Sequence, residues 1–254
     1  MELNEIYDGL NKAYFSENCH EREVILHLPR LIKKSKIFVD IGASLGQYTK
    51  LANECMRGGI IYAIEPDPIR FKELERNCKK WERTSNNELI PLENVVSDRN
   101  GEISFFTTNS GVSGGLFQRR ISDKKVEWSR VRCESVTLDA LFEVDTPDFV
   151  KIDVEGSELR VLEGSNRILR KGKTKFLIEI HSWSDPDGQN NADEIVGLMK
   201  SFGYEIVNYH GRSLFVKAKA VCGIRLKTFL QRLVNYAKRK MANFILTAKF
   251  ALSI

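Results

Sequence analysis

The sequence predicts an α/β fold, a mainly parallel sheet with helices on both faces, and three stretches predict it. Each is a short apolar run that ends in acids beside a glycine or proline: Ile37 to Gly46, Ile60 to Asp67, and Asp148 to Gly156. Runs apolar at consecutive positions suit strands buried on both faces, which is the condition of a parallel sheet. Helical spacing follows each run, and strands alternating with helices are built from βαβ units.

With 254 residues, of which 42% are hydrophobic and 9% aromatic, the chain is long enough for one large domain with a full core. The reading divides it into a helical lead-in over residues 1–35, an α/β domain over 36–218 and a basic amphipathic helical tail over 219–254. Cys19, Cys55, Cys78, Cys133 and Cys222 are widely spaced and form no C-x-x-C pair. Neither a disulfide framework nor a thiolate zinc site is indicated, and no metal is assigned. The amino terminus lacks an apolar run and no stretch approaches the length of a membrane span, so a soluble, cytoplasmic protein is expected.

The net charge of +5 is unevenly spread. Residues 219–254 hold eight Lys or Arg and no acid, which leaves 31 basic against 34 acidic residues, a net of −3, for the rest. A nucleic-acid enzyme concentrates positive charge around its site, so this distribution counts against that class.

In chain order, Val24, Ile25, Leu28, Leu31 and Ile32 have helical spacing in the lead-in, with Pro29 marking a kink or break. His20 and His27 receive no role. Ile37 to Val39 form the first strand; Asp40 stands at its carboxyl end, and Gly42 and Gly46 permit tight turning and close backbone approach to a ligand. The spacing is D-x-G-x-x-x-G, so Ser44 occupies the place of the middle glycine of a dinucleotide loop. An acid before the glycines fits a ligand that carries an amino acid group and no phosphate, as S-adenosylmethionine does.

Tyr48 to Arg57 reads as a helix stopped by Gly58-Gly59. The second strand ends at Glu65-Pro66-Asp67, with Glu65 standing 19 residues after Gly46. At that distance a βαβ unit presents a carboxylate to a ribose, whose vicinal hydroxyls it can accept together. Pro68 to Lys80 is the next helix, and Glu88 to Val96 a third strand ending in Ser97-Asp98. Asp98 either meets an adenine amino group or only forms the turn before Asn100-Gly101.

Glu102 to Phe106 alternates as a strand, and residues 107–124 form a loop whose Arg119 and Arg120 either meet an anionic substrate or are simply solvated. Val126 to Val136 is a strand, and Thr137 caps a short helix. Asp148 to Gly156 is a strand that delivers Asp153 and Glu155 where ligands of open parallel sheets lie. Both are site candidates, and both can also favour the dipole of a helix over Ser157 to Leu169. In the strand Lys175 to His181, Glu179 and His181 share a face and could act as general base and orienting partner. Ala192 to Phe202 is helical; Tyr204 to Tyr209 and Ser213 to Ala218 form a closing hairpin around His210-Gly211-Arg212. The tail from Cys222 carries a helical apolar stripe between basic residues, which suits either an anionic membrane surface or packing on the body or a second subunit.

The segments FVDIGASLGQYT, IIYAIEPDP, VVSDRNGEISFF, VTLDAL, DFVKIDVEGSELRVLEGS and FLIEIHSW, over roughly residues 37–185, resemble the FkbM family of S-adenosylmethionine-dependent methyltransferases. The resemblance implies a class I methyltransferase (Rossmann-like) fold, with a seven-stranded sheet in which one strand is antiparallel. It also implies O-methylation, with hydroxyls of sugars, glycans and polyketides as acceptors. By this resemblance Asp40, Gly42, Ala43 and Gly46 lie on the cofactor loop with Ser44 and Tyr48. Glu65 is the ribose acid, followed by Pro66 and Asp67, and Ser97 and Asp98 lie near the adenine. Asp153, Glu155, Glu179 and His181 face the methyl-transfer cleft, Asp153 touching the cofactor as well. The family often has Asn where Ser44 stands, and a Ser-Ser-Leu type segment where this chain reads Ser113-Gly114-Gly115-Leu116. The competing reading is a catalytically idle module that binds the nucleoside cofactor or a glycan and is tethered to a membrane or partner by the tail. The expected location is cytoplasmic, peripheral on the inner face of a membrane if the tail binds one.

Overall fold

The structure is a computed structural model that describes residues 22–108, 114–117, 127–181, 192–209 and 212–217. The expectations for His20, Arg119, Arg120, His210 and the 219–254 tail lie outside the described residues.

In order the elements are α1 (Arg22–Ile32), β1 (Ile37–Ile41), α2 (Gln47–Cys55), β2 (Ile60–Ile64), α3 (Pro68–Glu82), β3 (Glu88–Leu92), β4 (Val95–Val96), β5 (Gly101–Thr108) and β6 (Trp128–Val136). There follow α4 (Leu138–Leu141), β7 (Phe149–Ile152), α5 (Glu158–Glu163), α6 (Asn166–Lys171), β8 (Lys175–Ile178), α7 (Ala192–Ser201), β9 (Tyr204–Tyr209) and β10 (Arg212–Lys217). Seven strands form the main sheet in the order β3-β2-β1-β7-β8-β10-β9. The first five run parallel, β10 is antiparallel to β8, and β9 is antiparallel to β10, so β10 alone opposes the others. The order reverses between β1 and β7, and the cleft opens at the carboxyl ends of these strands, where such a sheet binds its ligands.

Alternation along the strands divides the core in two. Phe38, Phe149 and Leu177 point to one face, where they pack with Leu28 of α1, Leu51 of α2 and Leu74 of α3. Val39, Val150 and Phe176 point to the other, against Leu138 of α4, Val161 of α5, Leu169 of α6 and Met199 of α7. Period-two side chains on strands flanked by helices on both faces require this division, and it explains why the strands read as unbroken apolar runs. α1 contains Pro29 without ending there, and Val24, Leu28 and Ile32 are fully buried against the sheet.

Three elements differ from their sequence reading. The expected third strand over Glu88 to Val96 is two strands. β3 joins the main sheet, whereas Val95 and Val96 pair with Ser135 and Val136 in a separate three-stranded sheet ordered β4-β6-β5. α2 ends at Cys55, before the expected glycine stop, because Met56 leaves the helix in an extended conformation. The helix expected over Ser157 to Leu169 is broken into α5 and α6 at Gly164-Ser165. A Cβ on Gly164 would lie 2.1 Å from the Ser97 carbonyl oxygen, so this corner must pass close to β4. Asp139 of α4 accepts hydrogen bonds from the Arg167 and Ile168 N–H groups at 2.6 and 3.0 Å, restarting the second helix from outside it.

Candidate functional site

Beneath the first loop lies a buried ion group that the sequence reading did not single out. Lys151, at the middle of β7, is 4% exposed. Its Nζ donates to the Gly42 carbonyl at 3.0 Å and lies 3.3 Å from both Asp40 Oδ1 and Asp153 Oδ2. The ammonium also sits 5.0 Å from the centre of the Tyr48 ring. Asp40 is fully buried and accepts a hydrogen bond from Thr49 Oγ1 at 2.8 Å. Asp40 and Tyr48, expected with the cofactor loop, gather with this lysine at its base. A lysine inside an apolar strand was the available signal, since buried lysines are rare unless paired.

The loop's backbone explains its glycines differently from one another. Gly42 has φ +74° and a Cβ there would lie 1.9 Å from the Asp153 carbonyl oxygen, so β1 and β7 can meet only at a glycine. Gly46, at φ +92°, leaves space for Leu74 and Trp81, 2.8 and 2.9 Å from an added Cβ. It lets α3 seat against the start of α2. Ser44 adopts φ 51°, the left-handed conformation that Gly or Asn takes more readily. Its N–H donates to Glu65 Oε2 at 2.8 Å, and its Oγ accepts from Arg70 Nη1 at 2.7 Å. Ala43 is buried, with its N–H on the Ile64 carbonyl.

Glu65, 6% exposed, accepts from Ser44 through one oxygen and from the Asp67 N–H at 3.0 Å through the other. Burial pushes its carboxyl up to about 7, against the opposing pull of these two N–H groups and of Arg70. Asp67, 3% exposed, has structural partners of its own. It caps α3 by accepting from the Ile69 and Arg70 N–H groups and holds β5 through the Thr107 hydroxyl. Asp67→Ala should thus cost about 1 kcal/mol of stability through the lost cap, with cofactor affinity measured by calorimetry changed less than threefold.

The cleft is lined by Gly42 and Ser44 after β1, by Glu65 and Pro66 after β2 and by Asp153, Val154, Glu155 and Ser157 after β7, so β1 lies between the two sets of acids. Asn94, Val95, Val96, Phe105, Gly114 and Leu116 complete it. Ser97 and Asp98, expected near an adenine, are absent from these walls. Ser97 is fully buried and donates to Asp98 Oδ1 at 2.8 Å, and Asp98 lies 3.8 Å from Arg160. The residues just before them line the cleft instead, because β4 has left the main sheet. Gly114 and Gly115, where the family pattern departs, lie against β5. Gly115 exchanges two 2.9 Å hydrogen bonds with Phe106, and a Cβ on Gly114 would meet the Phe106 carbonyl at 2.5 Å.

The four residues expected at the reacting end do converge. His181 Nε2 lies 3.9 Å from Asp153 Oδ1, 3.8 Å from Glu155 Oε2 and 3.9 Å from Glu179 Oε1. β8 ends at Ile178, yet the Glu179 N–H continues the ladder to the Ile152 carbonyl at 3.0 Å, which keeps Glu179 and His181 over β7. Behind the imidazole stands Glu158, fully buried, an acid that the sequence reading passed over. It accepts from His181 Nδ1 at 2.9 Å and from the Gly156 N–H at 3.1 Å. Burial disfavours the imidazolium, but Glu158, Asp153 and Glu155 outweigh it and push His181 up to about 9.

A parallel sheet reversing at β1 and β7 with one antiparallel strand, and a cleft with a buried acid after β2, define the class I methyltransferase fold. The Methyltransferase FkbM domain matches residues 40–206, and the chain belongs to that family. Membership implies S-adenosylmethionine as the methyl donor. The hexuronic acid methyltransferase AglP of Haloferax volcanii is 28% identical over 169 residues, covering 65% of this chain and 64% of that protein. The chain thus matches just under two thirds of the length of that relative. The 31-O-demethyl-FK506 methyltransferase FkbM of Streptomyces tacrolimicus is 23% identical, covering 78% of this chain and 82% of that one. Among solved structures, methyltransferase FkbM of Methylobacillus flagellatus superposes with a TM-score of 0.46 at 15% identity, covering 84% of this chain and 58% of that chain.

Proposed function

We propose that this protein transfers the sulfonium methyl group of S-adenosylmethionine to a hydroxyl oxygen of a sugar, of which a hexuronic acid is the first candidate. The observation that supports it most is that Glu65 and Asp153/Glu155 line one cleft on either side of β1. Glu65 takes the ribose hydroxyls, and the far carboxylates lie where an acceptor hydroxyl must lose its proton. Alignment of donor and acceptor in such a cleft supplies much of the acceleration of an in-line transfer. Asp153 and Glu155, which line the cleft, are the groups placed to take the proton. A second, polar cleft shares Leu116 with the first and is lined by Arg99, Glu102, Ser104 and Arg160; Glu102 is paired with Arg132, and the Arg99 and Arg160 guanidinium groups suit the carboxylate of an acidic sugar.

The test is release of S-adenosylhomocysteine against hexuronic acids, neutral glycans, glycolipids and RNA. Turnover is expected with the acidic sugars above all. Tight cofactor binding without turnover on any acceptor would favour an idle binding module, and turnover on RNA alone would overturn the sugar reading.

A further inference from the structure

We propose that Asp153, Glu179 and His181 form a binding site for one divalent cation of the Mg2+ or Mn2+ kind, at the acceptor end of the cleft. The ligand atoms of these three residues all lie within 4.8 Å of one another. The separations of 3.9 Å from Nε2 to Asp153 Oδ1 and to Glu179 Oε1 are too long for hydrogen bonds. Adjacent ligands about 2.1 Å from a small octahedral cation lie roughly 3 Å apart, so each carboxylate needs to approach Nε2 by only about 1 Å to share one centre with it.

The surroundings are arranged for the same purpose. Glu158, fully buried, holds Nδ1 at 2.9 Å and so turns Nε2 toward the carboxylates. Carboxylate behind imidazole is the arrangement that orients metal-ligating histidines and strengthens them as donors. Asp153 is divided between two duties, with Oδ2 3.3 Å from Lys151 and Oδ1 turned to the imidazole. A separate observation points to a ligand on the cleft side of Asp153. The Ser157 hydroxyl is 3% exposed, lines the same cleft as Asp153 and Glu155, and has no hydrogen-bond partner among the described residues. A bound water of the cation or an acceptor oxygen would satisfy it.

Two hard carboxylates beside one borderline imidazole suit Mn2+ and Mg2+ and exclude ions that need thiolates. Three protein ligands leave positions for two oxygens of an acceptor, as a vicinal diol or a hydroxyl beside a carboxylate presents them. A hydroxyl bound there is acidified and gives its proton to the Glu155 carboxylate. The oxygen lone pair then forms the O–CH3 bond while the CH3–S bond breaks, its electron pair remaining on sulfur to give neutral S-adenosylhomocysteine. Glu155 returns the proton to water. What the cation does in this step rests on the proposed function; that it binds does not.

The experiment is titration of the metal-free full chain with Mn2+, followed by electron paramagnetic resonance without cofactor or sugar. One Mn2+ per chain is expected, displaced by excess Mg2+. Asp153→Asn and Glu179→Gln should each weaken it at least about tenfold, and Glu158→Gln by about 10- to 100-fold. Glu102→Gln, whose carboxylate pairs with Arg132 on β6, should leave it unchanged. Thermal melting of each variant identifies any that fails to fold, and Glu179, partly exposed, is the substitution least able to unfold the chain. Absence of saturable Mn2+ binding, or binding indifferent to both Asp153→Asn and folded Glu179→Gln, overturns the site. Methyl transfer to a sugar that persists in chelator, with no Mn2+ bound, overturns the cation alone. Mn2+ bound and lost as described, with no sugar methylated, overturns the sugar reading alone.

Discussion

Replacing Glu65 by alanine is expected to lower affinity for S-adenosylhomocysteine by about 10- to 100-fold, since a hydrogen bond to a charged group contributes roughly 1.5–3 kcal/mol and each 1.4 kcal/mol is a factor of ten. Two losses combine in this variant. The carboxylate that takes the ribose hydroxyls disappears, and the Ser44 and Asp67 N–H groups lose the acceptor that holds the two turns together. Because burial pushes Glu65 up to about 7, the wild-type protein should also bind the cofactor more tightly as pH rises from 6 to 8. The sign follows from proton bookkeeping. A donor hydroxyl needs the ionised carboxylate, which is the minority form below about 7 and the majority form above it. In Glu65→Gln the group cannot titrate, and the slope over this interval should vanish. Calorimetric titration at several pH values measures both effects. An alanine variant with wild-type affinity, or a pH slope that survives in the glutamine variant, would remove Glu65 from the ribose site.

The second large effect is expected at Lys151. Lys151→Met should destabilise the fold by about 3–5 kcal/mol, the usual cost of removing one partner from a buried ion pair. Asp40 is fully buried and would keep a charge with, among the described residues, only the Thr49 hydroxyl in its favour, while the Gly42 carbonyl would lose its donor. Adding Asp40→Asn to Lys151→Met should recover a substantial part of the loss, because it removes the charge left behind. Urea unfolding of wild type, single and double variants gives the comparison. A single variant within 1 kcal/mol of wild type would show that the lysine is dispensable beneath the loop.

Much of the candidate site was legible because its residues stand at strand ends, and strand ends are read from local pattern. Gly42, Ser44, Glu65, Pro66, Asp153 and Glu155 do line the cleft. Other expected residues have partners that local pattern does not contain. Asp67 looked like a cofactor acid beside Glu65, but an aspartate before Pro68 is equally a helix cap, and its neighbours across 40 residues decided between the two. Ser97 and Asp98 were moved off the cleft by the pairing of Val95 and Val96 with β6, a contact no local window contains. Glu158 carried no signal of its own, and only the return of the chain after β8, which brings His181 Nδ1 to it across 23 residues, made it a partner of the imidazole.

By itself the sequence determined the alternation of buried strands and amphipathic helices, the glycine loop after β1 and the acids at the ends of β2 and β7. Period, turn chemistry and spacing are properties of neighbouring residues, and they act wherever the chain goes. The tertiary structure alone decided that Lys151 neutralises Asp40, that Gly46 serves the packing of Trp81, and that one imidazole gathers three carboxylates around Nε2 with a fourth behind it. Those outcomes depend on which strands lie side by side. Charge and close contact act through space, over distances that the order of residues does not record.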